Sequence, residues 1–333
     1  MEINKKERPR IYKPASKYTA NCGLLDIINQ HYAVKGEKIR LFRLSGGQVF
    51  FIQTPTGRKV FKLYRPCYTD GAVQTTHILP YLNDCGYPVV QIIPSVTGEL
   101  FIYLNRPEGR CVGILFEYAK GRFMELWDGN FEEPPCFHPL TKQFSRQMGL
   151  LHRLMEDYEG PLFQKSGEHF FNNMIYCLRR DNYDEAKTRD FEEYGNELRH
   201  MMEKCNAGYL HGDTHTGNIK YLGGKFIWMD FDNASLSYPV IDLSWLINHS
   251  GFPVFDRSEF DVMRRLFDEI YAGYSVERML TDHEIASVFH FVAVIFYGNG
   301  NDLMYENKTV DNVFMDRHHD WLMRWREACC KLV

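Results

Sequence analysis

Between Lys38 and Glu117 the apolar residues come in short runs with a period close to two. KIRLFRL, QVFFIQT and KVFKLYR are separated by Ser45-Gly46-Gly47 and by Pro55-Thr56-Gly57, which predicts three antiparallel strands joined by tight turns. GAVQTTHILPYLND then predicts a helix that carries Pro80 inside it, and ELFIYL and CVGILFEY predict two more strands around the polar turn NRPEGR. The order β-β-β-α-β-β describes a small antiparallel sheet with one helix.

Past Gly121 the period lengthens. FSRQMGLLHRLM, IYCLRR, ELRHMME, VIDLSWLI, FDVMRRLFDEIY, IASVFHFVAVIFY and VFMDRHHDWLMRW space their apolar residues as helices do. Trp321 and Trp325, four apart, read as core neighbours, whereas His318 and His319 read as part of a solvated helix face. One stretch breaks the helical texture: YLHGDTHTGNIKYLGGKFIWMDFD holds two short β-like runs around Gly223-Gly224, with polar residues at both outer ends. The fold class expected is therefore α+β, a sheet-and-helix part followed by a mainly helical part.

Composition narrows the function classes. A 333-residue chain with 44% hydrophobic and 25% charged residues is not disordered, and 39 Lys+Arg against 43 Asp+Glu give a net charge of −4. No global basic field exists to hold nucleic acid or an anionic membrane, so neither partner is expected. Without an apolar signal core or a run of about 18 apolar residues, the reading is cytoplasmic. The nine cysteines include no C-x-x-C pair and read as reduced thiols, mostly core filler.

The polar hairpin carries the chemistry. His211-Gly212-Asp213 precedes Asn218 by five positions from the aspartate, and Asp230-Phe231-Asp232 follows the hairpin. This spacing matches the kinase pattern H-R-D-x-x-x-x-N with a later D-F-G, in which the first aspartate accepts a hydroxyl proton and the asparagine and second aspartate hold magnesium. Magnesium favours a few hard oxygen ligands, which an amide, a carboxylate and phosphate oxygens supply. Asp232 is open between a second-metal contact, an acceptor contact and a solvated hairpin carboxylate, and His215 between an acceptor contact and solvent. There is no G-x-x-x-x-G-K-[ST], H-E-x-x-H or G-x-S-x-G, and no dinucleotide-binding glycine run.

HGDTHTGNI with IWMDFD resembles the aminoglycoside phosphotransferase and choline kinase family, relatives of the protein kinases, over about residues 38 to 300. Residues 1–18 read as an extended basic tail, and the resemblance implies a two-lobed kinase-like fold: a nucleotide-binding lobe at 19–116, a hinge at 117–121 and a catalytic and acceptor-binding lobe at 122–333. It implies ATP and Mg²⁺ as cofactors and a small-molecule hydroxyl as acceptor, with Asp213 as base and Asn218 and Asp230 as metal ligands. Lys62 would grip the α- and β-phosphates, Ser45, Gly46 and Gly47 would close over them, and backbone groups near Glu117, Tyr118 and Ala119 would bond adenine. His211 and Asp242 would support the catalytic loop.

Two features complicate the match. Kinases pair the strand-three lysine with a glutamate on the following helix, and here Gln74, Thr75, Thr76 or His77 stands on that face, which keeps an ATP-binding pseudokinase in view. KLYRP and the doubled acid of MDFD are most similar to the protein-phosphorylating, stress-response members of the family, which makes a Ser/Thr protein kinase the alternative. The helical part offers Asp268, Glu269, Asp282, Glu284, Tyr271, Tyr274 and Phe296 for an acceptor pocket.

Overall fold

The protein is described by a computed structural model, and the residues described are 23–44, 47–107, 109–123, 137–162, 168–307 and 310–332. The segment 1–18, Ser45 and Gly46 lie outside them.

The first part is a five-stranded antiparallel sheet in the order β1-β2-β3-β5-β4, made of β1 (Lys38–Leu44), β2 (Gly47–Thr54), β3 (Gly57–Tyr64), β4 (Ile102–Arg106) and β5 (Gly109–Glu117). Helix α2 (Thr69–Asp84) follows β3, with Pro80 inside it. The chain also forms α1 (Leu24–His31), for which the sequence pattern gave no expectation. The alternation along the strands explains why α1 is there. Phe50, Ile52, Phe61 and Leu63 point to one face of the sheet and bury with Leu24, Ile28 and Tyr32 of the α1 segment. Lys62 and Tyr64 therefore point to the other face, toward α2 and the rest of the molecule.

The second part is built from α3 (Thr141–Met155), α4 (Glu168–Arg180), α5 (Glu185–Met202), α6 (Val240–Ile247), α7 (Arg257–Tyr274), α8 (Asp282–Asn307) and α9 (Asn312–Cys330). Before α3 comes the short β6 (Arg122–Phe123). Between α5 and α6 lie β7 (Gly208–Leu210), the hairpin β8 (Ile219–Leu222) and β9 (Lys225–Trp228), and β10 (Ser235–Ser237). β7 pairs with β10, and β6 adds to the hairpin as β6-β8-β9. Gly223 and Gly224 both have positive φ, +59° and +83°, as a two-residue hairpin turn matched to strand twist requires.

The segment 88–93, between α2 and β4, joins the two parts. Trp228 N–H donates to the Pro88 carbonyl and Val90 N–H to the Trp228 carbonyl, while on the other side Glu117 N–H donates to Gln91 and Ile93 N–H to Leu115. One extended segment thus hydrogen-bonds to both β9 and β5.

One sequence expectation is corrected in the helical part. His318 is fully buried, ringed by Phe191, Phe252 and Phe314, and His319 pairs with Asp190 at 2.8 Å, so these two are not a solvated face. Distant segments supply the aromatic cover, which local charge pattern does not reveal. Among the seven described cysteines Cys111, Cys205 and Cys329 are buried and Cys177 packs against the core, while Cys67, Cys85 and Cys330 are exposed, so three of them are not core filler. Trp321 and Trp325 stack in the core at 4.9 Å between centroids.

Candidate active site

The sheet face that carries Lys62 and the outer end of the β8–β9 hairpin meet across a cavity of about 470 Å³. Lys62, Tyr118, Ala119, Asn218, Asp230 and Asp232 all line it. Lys62 reaches it because position 62 alternates with the core-facing Phe61 and Leu63. Its ammonium lies 2.7 Å from Asp230 Oδ1, is also bonded to Asp232 Oδ2, and sits 4.9 Å over the Tyr64 ring.

Asp230 follows β9 in the left-handed region, at φ 65° and ψ 59°, a conformation costly for most residues and tolerated by aspartate. The turn ends β9 and presents Asp230 and Asp232 together to Lys62. Burial alone would raise both carboxyls. The Lys62 charge holds Asp230 below the ordinary carboxylate range, while burial and the neighbouring Asp230 charge push Asp232, the second acid of this tightly coupled pair, upward against the pull of Lys62. Lys62 itself is raised: its burial is outweighed by Asp232 and Asp230.

Asp213 and Asn218 stand on the preceding loop. The Asn218 amide N–H₂ donates to Asp213 Oδ2 at 2.8 Å and to its carbonyl at 3.0 Å, and His215 Nε2 lies 3.6 Å from Asp213 Oδ1. His215 is otherwise occupied in its own loop, where Nδ1 accepts from Gly217 N–H.

A single buried carboxylate holds this loop. Asp242, on α6, accepts from His211 N–H at 2.6 Å, Gly212 N–H at 2.9 Å, Thr214 Oγ1 at 2.8 Å and His152 Nε2 at 3.1 Å. Burial would raise its carboxyl, but His152 and these donors hold it below the ordinary range. Burial lowers His152, so the imidazole is neutral, donating from Nε2 and accepting the Tyr274 hydroxyl at Nδ1, 2.7 Å away. Gly212, at φ +78°, has no room for a side chain, since a Cβ would lie 2.6 Å from the Asn233 carbonyl. His211 is buried, with Nε2 3.3 Å from the Met229 carbonyl.

Other expectations fare differently. Gly47 is the first residue of β2, packed so that a Cβ would run into the Leu63 carbonyl, which makes it a strand position. Glu117 N–H is not free for a ligand, because it is bonded to Gln91, and the Glu117 carboxylate pairs with Lys59 at 2.7 Å. Tyr118 and Ala119 lie beyond the strand, on the cavity wall. Tyr274 is taken by His152, Phe296 packs on Phe252 and Trp321, Glu269 pairs with Lys142, and Glu284 caps α8 through Thr281. None of the seven acids and aromatics proposed for an acceptor pocket lines this cavity.

The sequence reading passed over Lys220, Tyr64 and His152. Lys220, in β8 two residues past Asn218, lines the same cavity. Its ammonium sits over the Phe123 ring with no acid within ion-pair distance among the described residues, and desolvation lowers it.

The architecture and the cleft can be set beside known proteins. Over 184 residues the chain is 27% identical to amicoumacin kinase of Bacillus subtilis strain 168, covering 53% of this chain and 52% of that one. A solved amicoumacin kinase, in complex with AMP-PNP, Ca²⁺ and Ami, shares the fold with a TM-score of 0.70 at 18% identity, covering 94% of each chain. A microcompartment-associated aminopropanol kinase superposes with a TM-score of 0.66 at 14% identity, over 92% of this chain and 94% of that one. Residues 40–279 match the phosphotransferase enzyme family known as APH, and this chain belongs to that family.

Proposed function

We propose that the chain transfers the γ-phosphoryl group of ATP to a hydroxyl of a small molecule, with Asp213 accepting the hydroxyl proton. The observation that carries this reading is the convergence on one cleft of Lys62 from the sheet, Asp230 from the end of the hairpin and Asn218 from the loop, with Asp213 hydrogen-bonded to Asn218 beside it.

The donor set fits magnesium. Asn218 commits its N–H₂ to Asp213, which leaves the carbonyl oxygen as a hard ligand beside the Asp230 carboxylate. Bound there, Mg²⁺ would neutralise charge on the phosphates. Lys62 would hold the α- and β-phosphates by charge-assisted hydrogen bonds, and Asn218 fixes the Asp213 carboxylate through its 2.8 Å bond. Asp213 orients the hydroxyl and takes its proton as transfer proceeds. Positioning and charge neutralisation supply most of the rate in such loose transition states. That the similar solved proteins include an amicoumacin kinase with AMP-PNP and an aminopropanol kinase supports ATP as donor and an amine-bearing alcohol as acceptor class.

The test is ADP release from Mg·ATP across a panel of amino alcohols, sugars and aminoglycosides. Asp213→Asn should lower turnover on the accepted compound by about 10²–10⁴-fold, the usual worth of a general base. Unchanged turnover would remove Asp213 from the mechanism. Phosphate found on protein side chains, and on no added compound, would replace the acceptor class.

A further inference from the structure

We infer that Asp232 takes the place of the missing helix glutamate as the residue that positions Lys62, and that α2 is clamped to the segment carrying it. The inference rests on the nucleotide-binding reading of the cleft and assigns Asp232 one role among those its sequence left open.

Every part of the Asp232 carboxylate is engaged. Oδ2 bonds Lys62, while Oδ1 accepts the Tyr64 hydroxyl at 2.8 Å and faces Thr75 Oγ1 at 3.4 Å. Tyr64 is two residues beyond Lys62 on the same face of β3, so the strand supplies both the ammonium and the hydroxyl that aims its partner. Among the described residues, Asp230 and Asp232 are the carboxylates within ion-pair distance of Lys62. With Asp230 turned to a metal, Asp232 is the one left. An arrangement spent on holding a lysine has little left to offer a cation.

Helix α2 is built for this arrangement. Gly71 lets it approach so closely that a Cβ there would lie 2.6 Å from the Asp232 carbonyl oxygen. One turn on, Gln74 Nε2 donates to the Ala234 carbonyl at 2.7 Å, and Thr75 faces Asp232 itself. The positions where a glutamate is missing thus grip the residues around Asp232. In the usual arrangement the helix carries the charge that fixes the lysine. Here the helix carries neutral groups, and the charge comes from the chain end of the hairpin.

A double-mutant cycle on the full-length chain tests this. Asp232→Asn keeps the shape and an acceptor for Tyr64 but removes the charge. Mg·AMP-PNP affinity, measured by titration calorimetry, should fall about tenfold in Asp232→Asn and in Lys62→Met, the loss expected for one charge-assisted bond. The double variant should bind no worse than Lys62→Met alone. Tyr64→Phe should move affinity the same way by less, and only while Lys62 is present. The concentration of Mg²⁺ giving half-maximal binding should stay that of the wild type.

In nucleotide-free protein, acylation of Lys62 scored by peptide mass spectrometry should quicken in Asp232→Asn. Additive losses, or a shifted Mg²⁺ requirement, would make Asp232 a metal ligand and overturn the inference. If the wild type binds no Mg·AMP-PNP, the nucleotide reading fails, and acylation alone decides whether Asp232 holds Lys62: no change would refute it.

Discussion

Asp242→Asn should cost more than any other isosteric change in the loop region. The carboxylate is fully buried and accepts four donors, two of them the backbone N–H groups of His211 and Gly212. Asparagine fits the space but offers one oxygen. If its oxygen takes the place of Oδ2, its N–H₂ is driven against Gly212 N–H and Thr214 Oγ1, and the reverse orientation sets it against His211 N–H and His152. Either way at least one buried backbone donor loses its acceptor, at about 1–3 kcal/mol, and the charge that strengthened the remaining bonds is gone. Breaking a buried charged network of this kind costs about 3–5 kcal/mol. That is a large share of the 5–15 kcal/mol on which a typical fold rests. Urea unfolding is the assay, followed by tryptophan fluorescence, since Trp228 is buried and stacked on Phe144 beside this loop. A loss below about 1 kcal/mol with an unchanged m-value would show that the loop does not depend on the Asp242 charge.

Two further outcomes follow from burial and packing. Burial pushes His318 down to about 3 and His290 to about 4, from 6.5, so the folded state refuses protons that the unfolded state accepts. Stability should therefore be full above about pH 6.5 and fall as pH drops below it, by up to about 1.4 kcal/mol per pH unit for each histidine. His318→Leu should flatten the dependence of the urea midpoint on pH between 6.5 and 4.5, and an unaltered slope would exclude His318 as its source. At Gly71 two effects compete. Alanine normally stabilises a helix by up to about 1 kcal/mol over glycine, but here its Cβ would run into the Asp232 backbone, at a typical cost of about 1–3 kcal/mol. Gly71→Ala should lower the melting temperature, and a rise would mean that α2 sits farther from Asp232.

Much of this was legible in the chain. Period-two alternation located β1, β2 and β3 almost to the residue and put Lys62 opposite the core face. Gly223-Gly224 announced the hairpin, and the spacing motif named Asn218 and Asp230, which line one cleft, and Asp213, which Asn218 holds by a hydrogen bond. What stayed hidden depends on contacts between distant segments. His152 looked like one more residue of an amphipathic helix, because Asp242 and Tyr274, its partners, are 90 and 122 positions away. Gly71 read only as the first residue of a helix pattern, and the backbone it approaches is 161 positions on. The segment 88–93 showed neither alternation nor length enough to be called a strand.

That segment sets how the cleft can move. Because 88–93 is hydrogen-bonded to β5 on one side and β9 on the other, the two walls are stitched along a backbone seam and cannot drift apart at that edge without breaking main-chain bonds. Motion that admits or releases a ligand is left as rocking about the seam, and it is limited by the side-chain bonds that Lys62, Tyr64 and Gln74 make to the 230–234 segment. The seam acts as a fulcrum, and these few side-chain bonds are the latch that a widening cleft has to release.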